Sequence, residues 1–387
     1  MMEKCGGLRG NINHARLRRS PQTKHQHHII IEHSNPATMS QSSGVNNHPP
    51  MTEVEDSFAR LHGSSHPATT AKTNITLIGA GTIGLSFAAL HLTSNPHAHV
   101  TICDTRSDLT DYVIDTLPQY ISSSSGIFDD YSERLAFEPD LATAVANADI
   151  VQEQGPENPG FKTKIWASIE SHAPPDALFW SSTSGIPAST QVASMKDQTR
   201  LLVVHPYNPP HVMPLLEVVP SPQTASACVE RTMAYWRRVG RTPVLLQKEV
   251  TGFVANRLAF ALFREAVSLV NDGVVSVRDL DAIVETSMGP RWAVNGPFKS
   301  YHAGGGAGGL SAFMANIGGT VRDCWSAGEE IKVGPGGIEE GWQESVCKQT
   351  EEAYGVVDTK ETAAITKDVL SAVKNGRANS RQTQEES

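Results

Sequence analysis

The stretch NITLIGAGTIGLSFAALHLTS, residues 74–94, leaves little freedom in what can be built around it. An apolar strand runs into a glycine-rich turn, and an apolar helix follows directly. Gly79, Gly81 and Gly84 fit the spacing G-x-G-x-x-G. The first glycine allows the tight turn, the second lets a pyrophosphate approach the backbone, and the third lets helix and strand pack closely. The free N–H groups of the first helical turn, at Thr82 and Ile83, then face the phosphates. A lone glycine motif is a weak signal, but here both flanks are of the required kind. The alternative is a glycine-rich turn with no ligand.

A second strand, HVTIC, ends in Asp104, twenty residues after Gly84. An acid at that place bonds the adenosine ribose hydroxyls and repels a 2′-phosphate, so the expected cofactor is NAD rather than NADP. Alternation continues beyond it. RLAFEP, ADIVQEQ, ALFWSSTS and LLVVH read as strands; residues 108–125, LATAVANA, NPGFKTKIWASIESHA and PASTQVASM read as helices. Such alternation means a mostly parallel sheet covered on both faces, with ligands beyond the carboxyl ends of the strands. Glu157, Ser184 and His205, each following a strand, would share that crevice.

Residues 201–219, LLVVHPYNPPHVMPLLEVV, are two apolar runs joined by a proline-rich connection. Each run carries one titratable group, His205 in the first and Glu217 in the second. Burying a lone carboxylate is costly unless it has a partner nearby. A histidine paired with a buried carboxylate is the usual construction of a general base, because the carboxylate fixes the tautomer and stabilises the imidazolium. The alternative is a structural hydrogen-bonded pair within a core. A helix, TASACVERTMAYWRRVG, and one more strand, TPVLLQKE, complete this part.

From Thr251 the chain becomes helical. TGFVANRLAFALFREAVSLVNDG sets Phe253, Leu258, Leu262, Leu269 and Val270 largely on one face and ends at Gly273. Ser276 and Asp279 have capping-box spacing at the start of the next helix. Several apolar faces suggest a homodimer interface as well as a core. Asn256 either faces the crevice or solvates its helix. AGGGAGG, from Ala303, reads as a flexible loop near the site, and a helix is expected over 361–374. The fold class is therefore α/β: a Rossmann-type dinucleotide-binding domain over 73–249, then an all-helical C-terminal domain over 250–374, with a disordered tail over 375–387.

Residues 1–72 are rich in Ser, Asn, Pro and His and lack apolar periodicity, the composition of disorder. Their basic, acid-poor start is compatible with a mitochondrial transit peptide. The alternatives are a floppy tail or a start codon placed too early, with Met39 or Met51 as the true start; the expected location is then cytoplasmic. A net charge of −9 argues against nucleic acid as the main partner, and no apolar run approaches the length of a membrane span. The five cysteines are scattered without a CxxC pair, so neither a disulfide framework nor a metal site is expected.

These motifs together resemble the 3-hydroxyacyl-CoA dehydrogenase superfamily over residues 74–310. The family's dyad is matched by His205 and Glu217, with Asn208 after the histidine on the cofactor side. Its substrate-contacting serine falls on Ser184 in SSTSG, its asparagine on Asn256 in TGFVANRL, and its cofactor-side glutamate and lysine on Glu157 and Lys162 in PENPGFK. HPYNPP, VPSPQTA and QKEVTGFVANRL are similar to the lambda-crystallin (L-gulonate 3-dehydrogenase) group, and ADIVQEQGPE, GPRWA and AGGGAGG to the L-carnitine dehydrogenases. Between 104 and 148 the chain lacks the longer helical excursion that helps the CoA enzymes grip CoA, and Gly185 replaces their second serine.

The resemblance implies NAD-dependent oxidation of an L-3-hydroxy acid to the 3-keto acid, with a free small polar acid as substrate. Arg291, where the CoA enzymes carry an uncharged residue, would receive the carboxylate; pairing with Glu285 or Asp281 is its alternative role. A true L-3-hydroxyacyl-CoA dehydrogenase is the competing enzyme reading. A non-catalytic NAD-binding or structural protein is the competing class.

Overall fold

The computed structural model describes residues 72–121, 131–327, 342–356 and 358–385. The readings made for residues 1–71, and for the end of the helix expected over 108–125, lie outside the described residues.

In chain order come β1 (Thr73–Ile78), α1 (Thr82–Ser94), β2 (Ala98–Cys103), α2 (Leu109–Thr116), β3 (Leu135–Phe137), α3 (Leu141–Val145) and β4 (Ile150–Glu153). Then follow α4 (Pro159–His172), β5 (Leu178–Ser181), α5 (Ala188–Gln191), β6 (Leu201–Pro206), β7 (Leu215–Pro220), α6 (Ser226–Arg238) and β8 (Thr242–Leu245). The eight strands form one sheet in the order β3-β2-β1-β4-β5-β6-β7-β8. Neighbours from β3 to β6 are parallel; β7 runs antiparallel to β6, and β8 parallel to β7. The chain winds outward from β1 to β3, then returns to the other side of β1 as β4. That reversal between β1 and β4 is the switch point at which such sheets bind their ligands.

Strands β4, β5 and β6 are buried along their whole length, which is why β5 and β6 open as apolar runs rather than alternating ones. One face packs on Phe87, Trp180 and Trp236 with α1 and α6; the other packs on Trp166, Phe179 and Ala188 with α4 and α5. Helix α1 lies close against β1 because Gly84 has no side chain: a Cβ there would stand 2.0 Å from the Gly79 carbonyl oxygen.

The helical part contains α7 (Ala255–Asn271), α8 (Val277–Ile283), a π-turn (Val284–Met288), α9 (Gly289–Val294), α10 (Pro297–Gly304), α11 (Gly309–Ala327), α12 (Trp342–Tyr354) and α13 (Thr359–Glu385). Ser276 caps α8, its hydroxyl accepting from Asp279 N at 3.2 Å, as the spacing predicts. Helix α7 differs from the expectation. Its buried residues are Val267, Ser268 and Val270 in the C-terminal half, where Val267 and Val270 pack with Val346, Leu280 and Trp342. Leu258 and Leu262 face outward, 61% and 38% exposed. Phe253, expected on the same face, precedes the helix and is fully buried.

The glycine run is not a loose loop. It closes α10 and opens α11 around a short 3-10 turn, Gly306–Gly308. A Cβ on Gly305 would lie 1.7 Å from Gly309 O, and one on Gly309 would lie 2.4 Å from the His302 ring. The glycines serve a tight helix-to-helix corner. The C-terminal segment, expected to be disordered from 375, continues α13 to Glu385. Its Arg, Ala, Gln and Glu residues are good helix formers, no proline interrupts them, and Gly376 alone does not end the helix.

Candidate active site

His205 and Glu217 are direct cross-strand partners in the antiparallel β6–β7 pair. Their side chains meet with Nδ1 and Oε2 2.7 Å apart, and both residues are buried. A carboxylate only accepts when ionised, so Nδ1 carries the proton and Nε2 presents its lone pair. The other carboxylate oxygen, Oε1, accepts from Val254 N and Ala255 N, each at 2.9 Å. Those N–H groups belong to the start of α7 and are aimed by a sharp backbone reversal. Gly252 and Phe253 both have positive φ, 71° and 51°. For phenylalanine that conformation is strained, and it persists here because the ring is buried against the His205 imidazole, centroids 5.2 Å apart. Burial is the largest single influence on Glu217 and pushes its pKa up. The His205 bond and the two backbone donors outweigh it, so the carboxyl titrates below its ordinary range.

The next helical residue, Asn256, donates from Nδ2 to the Ser184 carbonyl at 3.3 Å. Ser184 lies beyond the end of β5, where Glu157 fastens the loop. Glu157 Oε1 accepts from Ser184 N at 2.9 Å, Ser184 Oγ at 3.3 Å, Gly185 N at 3.1 Å and the Thr183 hydroxyl. With its proton directed to Glu157, the Ser184 hydroxyl presents lone pairs outward. Lys162 stands behind this loop, 1% exposed, with Nζ donating to both oxygens of fully buried Glu153 at 2.9 Å. Its Nζ also stands 3.6 Å from Glu157 Oε2. Ser181 Oγ and Gly155 N also donate to Glu153. His205, Glu217, Asn256, Ser184, Glu157, Lys162 and Glu153 thus form one connected framework beyond the strand ends.

At the switch point Asp104 closes β2. One carboxylate oxygen accepts from Ala80 N at 2.8 Å and the other from Arg106 N at 3.0 Å, so it braces the glycine-rich turn. Gly79 has φ 109°, a conformation that strongly favours glycine. Gly81 meets nothing within 4 Å of a built Cβ, and as N-cap of α1 it offers no side-chain acceptor to the N–H groups of the first helical turn. Open space over free helical donors is what a diphosphate needs. Gln154, after β4, adds a side-chain amide whose Oε1 and Nε2 are both buried without a hydrogen-bond partner among the described residues. The residues present fit a dinucleotide.

Two expected site residues stand apart from this framework. Asn208 is exposed on the turn after β6. Arg291 is exposed on α9, and no hydrogen bond or ion pair among the described residues ties it to His205 or its partners. Its alternative pairing is also missing: Asp281 instead accepts from the Tyr354 hydroxyl at 2.7 Å. Glu153 and Thr183 were not singled out from the sequence. Glu153 carried a usable signal, the same one as Glu217: a carboxylate inside an apolar strand.

A doubly wound sheet with a phosphate-ready turn at its switch point, and a carboxylate-backed imidazole beyond β6, defines an NAD-dependent dehydrogenase. Residues 74–250 match the NAD-binding domain of 3-hydroxyacyl-CoA dehydrogenase, and residues 252–326 match its C-terminal domain. The chain is 40% identical over 254 residues to a 3-hydroxyacyl-CoA dehydrogenase of Gibberella moniliformis, covering 64% of this chain and 78% of that one. It is 41% identical over 194 residues to an L-carnitine dehydrogenase of Mesorhizobium japonicum, covering 50% of this chain and 53% of that one. In structure it is similar to 5-formyl-3-hydroxy-2-methylpyridine 4-carboxylic acid 5-dehydrogenase, an NAD+-dependent dismutase. There the TM-score is 0.62 at 27% identity, covering 79% of this chain and 97% of the other. The chain belongs to the 3-hydroxyacyl-CoA dehydrogenase family. It spans about half the length of the L-carnitine dehydrogenase it matches.

Proposed function

We propose that the protein oxidises a small L-3-hydroxy acid with a free carboxylate to the 3-keto acid, reversibly. The observation that carries this reading is the buried His205–Glu217 pair, held in one tautomer by the α7 N-terminus. His205 Nε2 removes the substrate hydroxyl proton, and Glu217 stabilises the imidazolium that forms. The Ser184 hydroxyl and the Asn256 amide hold the reacting oxygen and its neighbours. NAD, when bound, supplies the hydride acceptor. Arg291 receives the substrate carboxylate, and among the described residues neither Asp281 nor Glu285 forms an ion pair with it.

The preference for a free acid is supported by the match to L-carnitine dehydrogenases. The homodimer is part of the same proposal: Phe260 and Phe263 lie on one side of α7 and are 64% and 57% exposed, an apolar pair suited to a second copy. A second reading, oxidation of an acyl-CoA ester, is favoured by the longer match to the Gibberella enzyme.

Following NADH absorbance with L-carnitine, L-gulonate, 3-hydroxybutyrate and 3-hydroxybutyryl-CoA separates the two. A free acid with the highest kcat/KM is the expected result; preference for the thioester would replace this reading with the second.

A further inference from the structure

We propose that Arg377 is a positioning residue for the substrate carboxylate: it caps α9 from α13 and so fixes where Arg291 stands, a role that rests on Arg291 being the group that receives that carboxylate. Helix α9 has six residues, none of them buried. A helix so short is marginal without outside support, and its last carbonyls lack intrahelical donors. The chain cannot supply one to Ala293 O, because the residue four further on is Pro297, which has no N–H. Arg377 supplies it instead. Its Nη2 donates to Val294 O at 2.8 Å and to Ala293 O at 3.4 Å, from 83 and 84 residues away in sequence.

A guanidinium suits this place twice over. It carries donors for two carbonyls, and its positive charge matches the negative end of a helix. Arg291 lies two residues before Ala293 on the same helix, and its own carbonyl closes the turn by accepting from Asn295 N at 2.8 Å. Fraying of the last turn would therefore move Arg291 directly. Helix α13 also comes within charge range of the turn after His205. Burial, then Arg241, then Lys367 of α13 lower the pKa of half-buried His211, between β6 and β7. Ten residues along α13, about 15 Å of helix, separate Lys367 from Arg377. One helix thus connects the turn after the base with the end of α9. It lies outside residues 252–326, which match the family's C-terminal domain.

The test is steady-state kinetics in the full-length protein, with whichever of L-carnitine, L-gulonate and L-3-hydroxybutyrate is oxidised best and with its methyl ester. Arg377→Ala should raise KM for the acid about fivefold, with kcat, ester oxidation and NADH affinity within about twofold of the unmodified protein. Arg377→Lys should restore about half of the loss or more, since the cation returns to the helix end. Combined with Arg291→Ala, which removes the group being positioned, Arg377→Ala should add nothing. Unchanged KM for the acid in Arg377→Ala, while Arg291→Ala weakens it, would overturn the positioning role and leave the carboxylate reading standing. Equal losses on acid and ester, or additive losses in the double variant, would overturn it too, showing a cap that serves only stability. If Arg291→Ala itself leaves the acid unaffected, the carboxylate reading fails and the positioning role with it.

Discussion

His205 and Glu217 occupy the same register position across an antiparallel pair, with Nδ1 and Oε2 2.7 Å apart. The pairing is set by backbone hydrogen bonding, before any side-chain choice, because β7 reverses direction beside β6. The carboxylate is then anchored from behind by Val254 N and Ala255 N, so its orientation does not depend on the histidine. The imidazole is left with one ring nitrogen for chemistry.

Glu217→Gln keeps the shape and an acceptor for the two backbone donors but removes the charge that stabilises the imidazolium. We expect kcat to fall by about 10²-fold or more, with NADH affinity nearly unchanged. The pKa of Glu217 is depressed on folding, so its ionisation stabilises the native state above the ordinary glutamate value of 4.5 and is lost as pH falls through the folded value. Glu217→Gln should accordingly lose less stability than the unmodified protein on acidification through that range. Near-normal turnover in this variant would show that the Glu217 charge does not assist the imidazole.

His91 should make the protein acid-sensitive at higher pH than its carboxylates do. It is fully buried on α1, with Nδ1 2.6 Å from the Tyr235 hydroxyl and Nε2 3.0 Å from Gln152 Oε1. The bonds assign Nε2–H as donor to Gln152 and the Tyr235 O–H as donor to Nδ1, which is the neutral ring. Burial lowers its pKa from 6.5 to about 4, the Gln152 bond opposes that, and Arg241 adds to it. The folded state thus resists a proton the unfolded chain accepts. Stability is complete above 6.5 and declines as pH falls toward about 4, by roughly 3 kcal/mol. His91→Phe suits the neighbouring Phe87 and Trp236 rings but removes one hydrogen bond each from Tyr235 and Gln152. It should melt lower at neutral pH and show a flatter pH dependence over that window in thermal denaturation. An unchanged slope would remove His91 as the cause.

Lys162 and Glu153 form a pair in which each side chain is 0–1% exposed. Removing one partner leaves an uncompensated buried charge, so Lys162→Met or Glu153→Leu alone should cost about 3–5 kcal/mol in chemical denaturation. The double variant should recover part of that loss, because no buried charge is left unpaired, while Gly155 N and Ser181 Oγ still lose their acceptor. Additive losses would show that the charges are not coupled.

The sheet was legible because strand burial, glycine spacing and helix periodicity point the same way along residues 73–249. His205, Glu217 and Ser184 were legible as polar residues within or just after apolar strands, whereas Asn256 was reached only through the family resemblance, since its helical pattern fits a solvated face equally well. The helical part was less so. Leu258 and Leu262 read as part of an apolar face for a core or a second copy and they face outward, since apolar periodicity marks a face to be covered and does not say by what. The glycine run read as flexible because glycine permits mobility; contacts as close as the 1.7 Å between a Gly305 Cβ and Gly309 O are visible only in three dimensions. The bond of Lys162 to both oxygens of Glu153 is likewise visible only in three dimensions.

Arg291 carries the substrate prediction. It lies on α9 and is exposed, and Asp281, one of its two candidate partners, is engaged by Tyr354. If it receives the carboxylate of a free acid, Arg291→Ala should lower kcat/KM for that acid by roughly tenfold, the size of one charge-assisted bond at an open site. Arg291→Lys should recover part of the loss, because the charge returns without the planar fork. The methyl ester of the same acid has no charge to match and should be oxidised equally by both variants and the unmodified protein. NADH affinity should not move, since Asp104 and the glycine turn lie on the sheet. An Arg291→Ala enzyme that keeps its kcat/KM for the acid, or loses acid and ester alike, would show that the carboxylate is bound elsewhere.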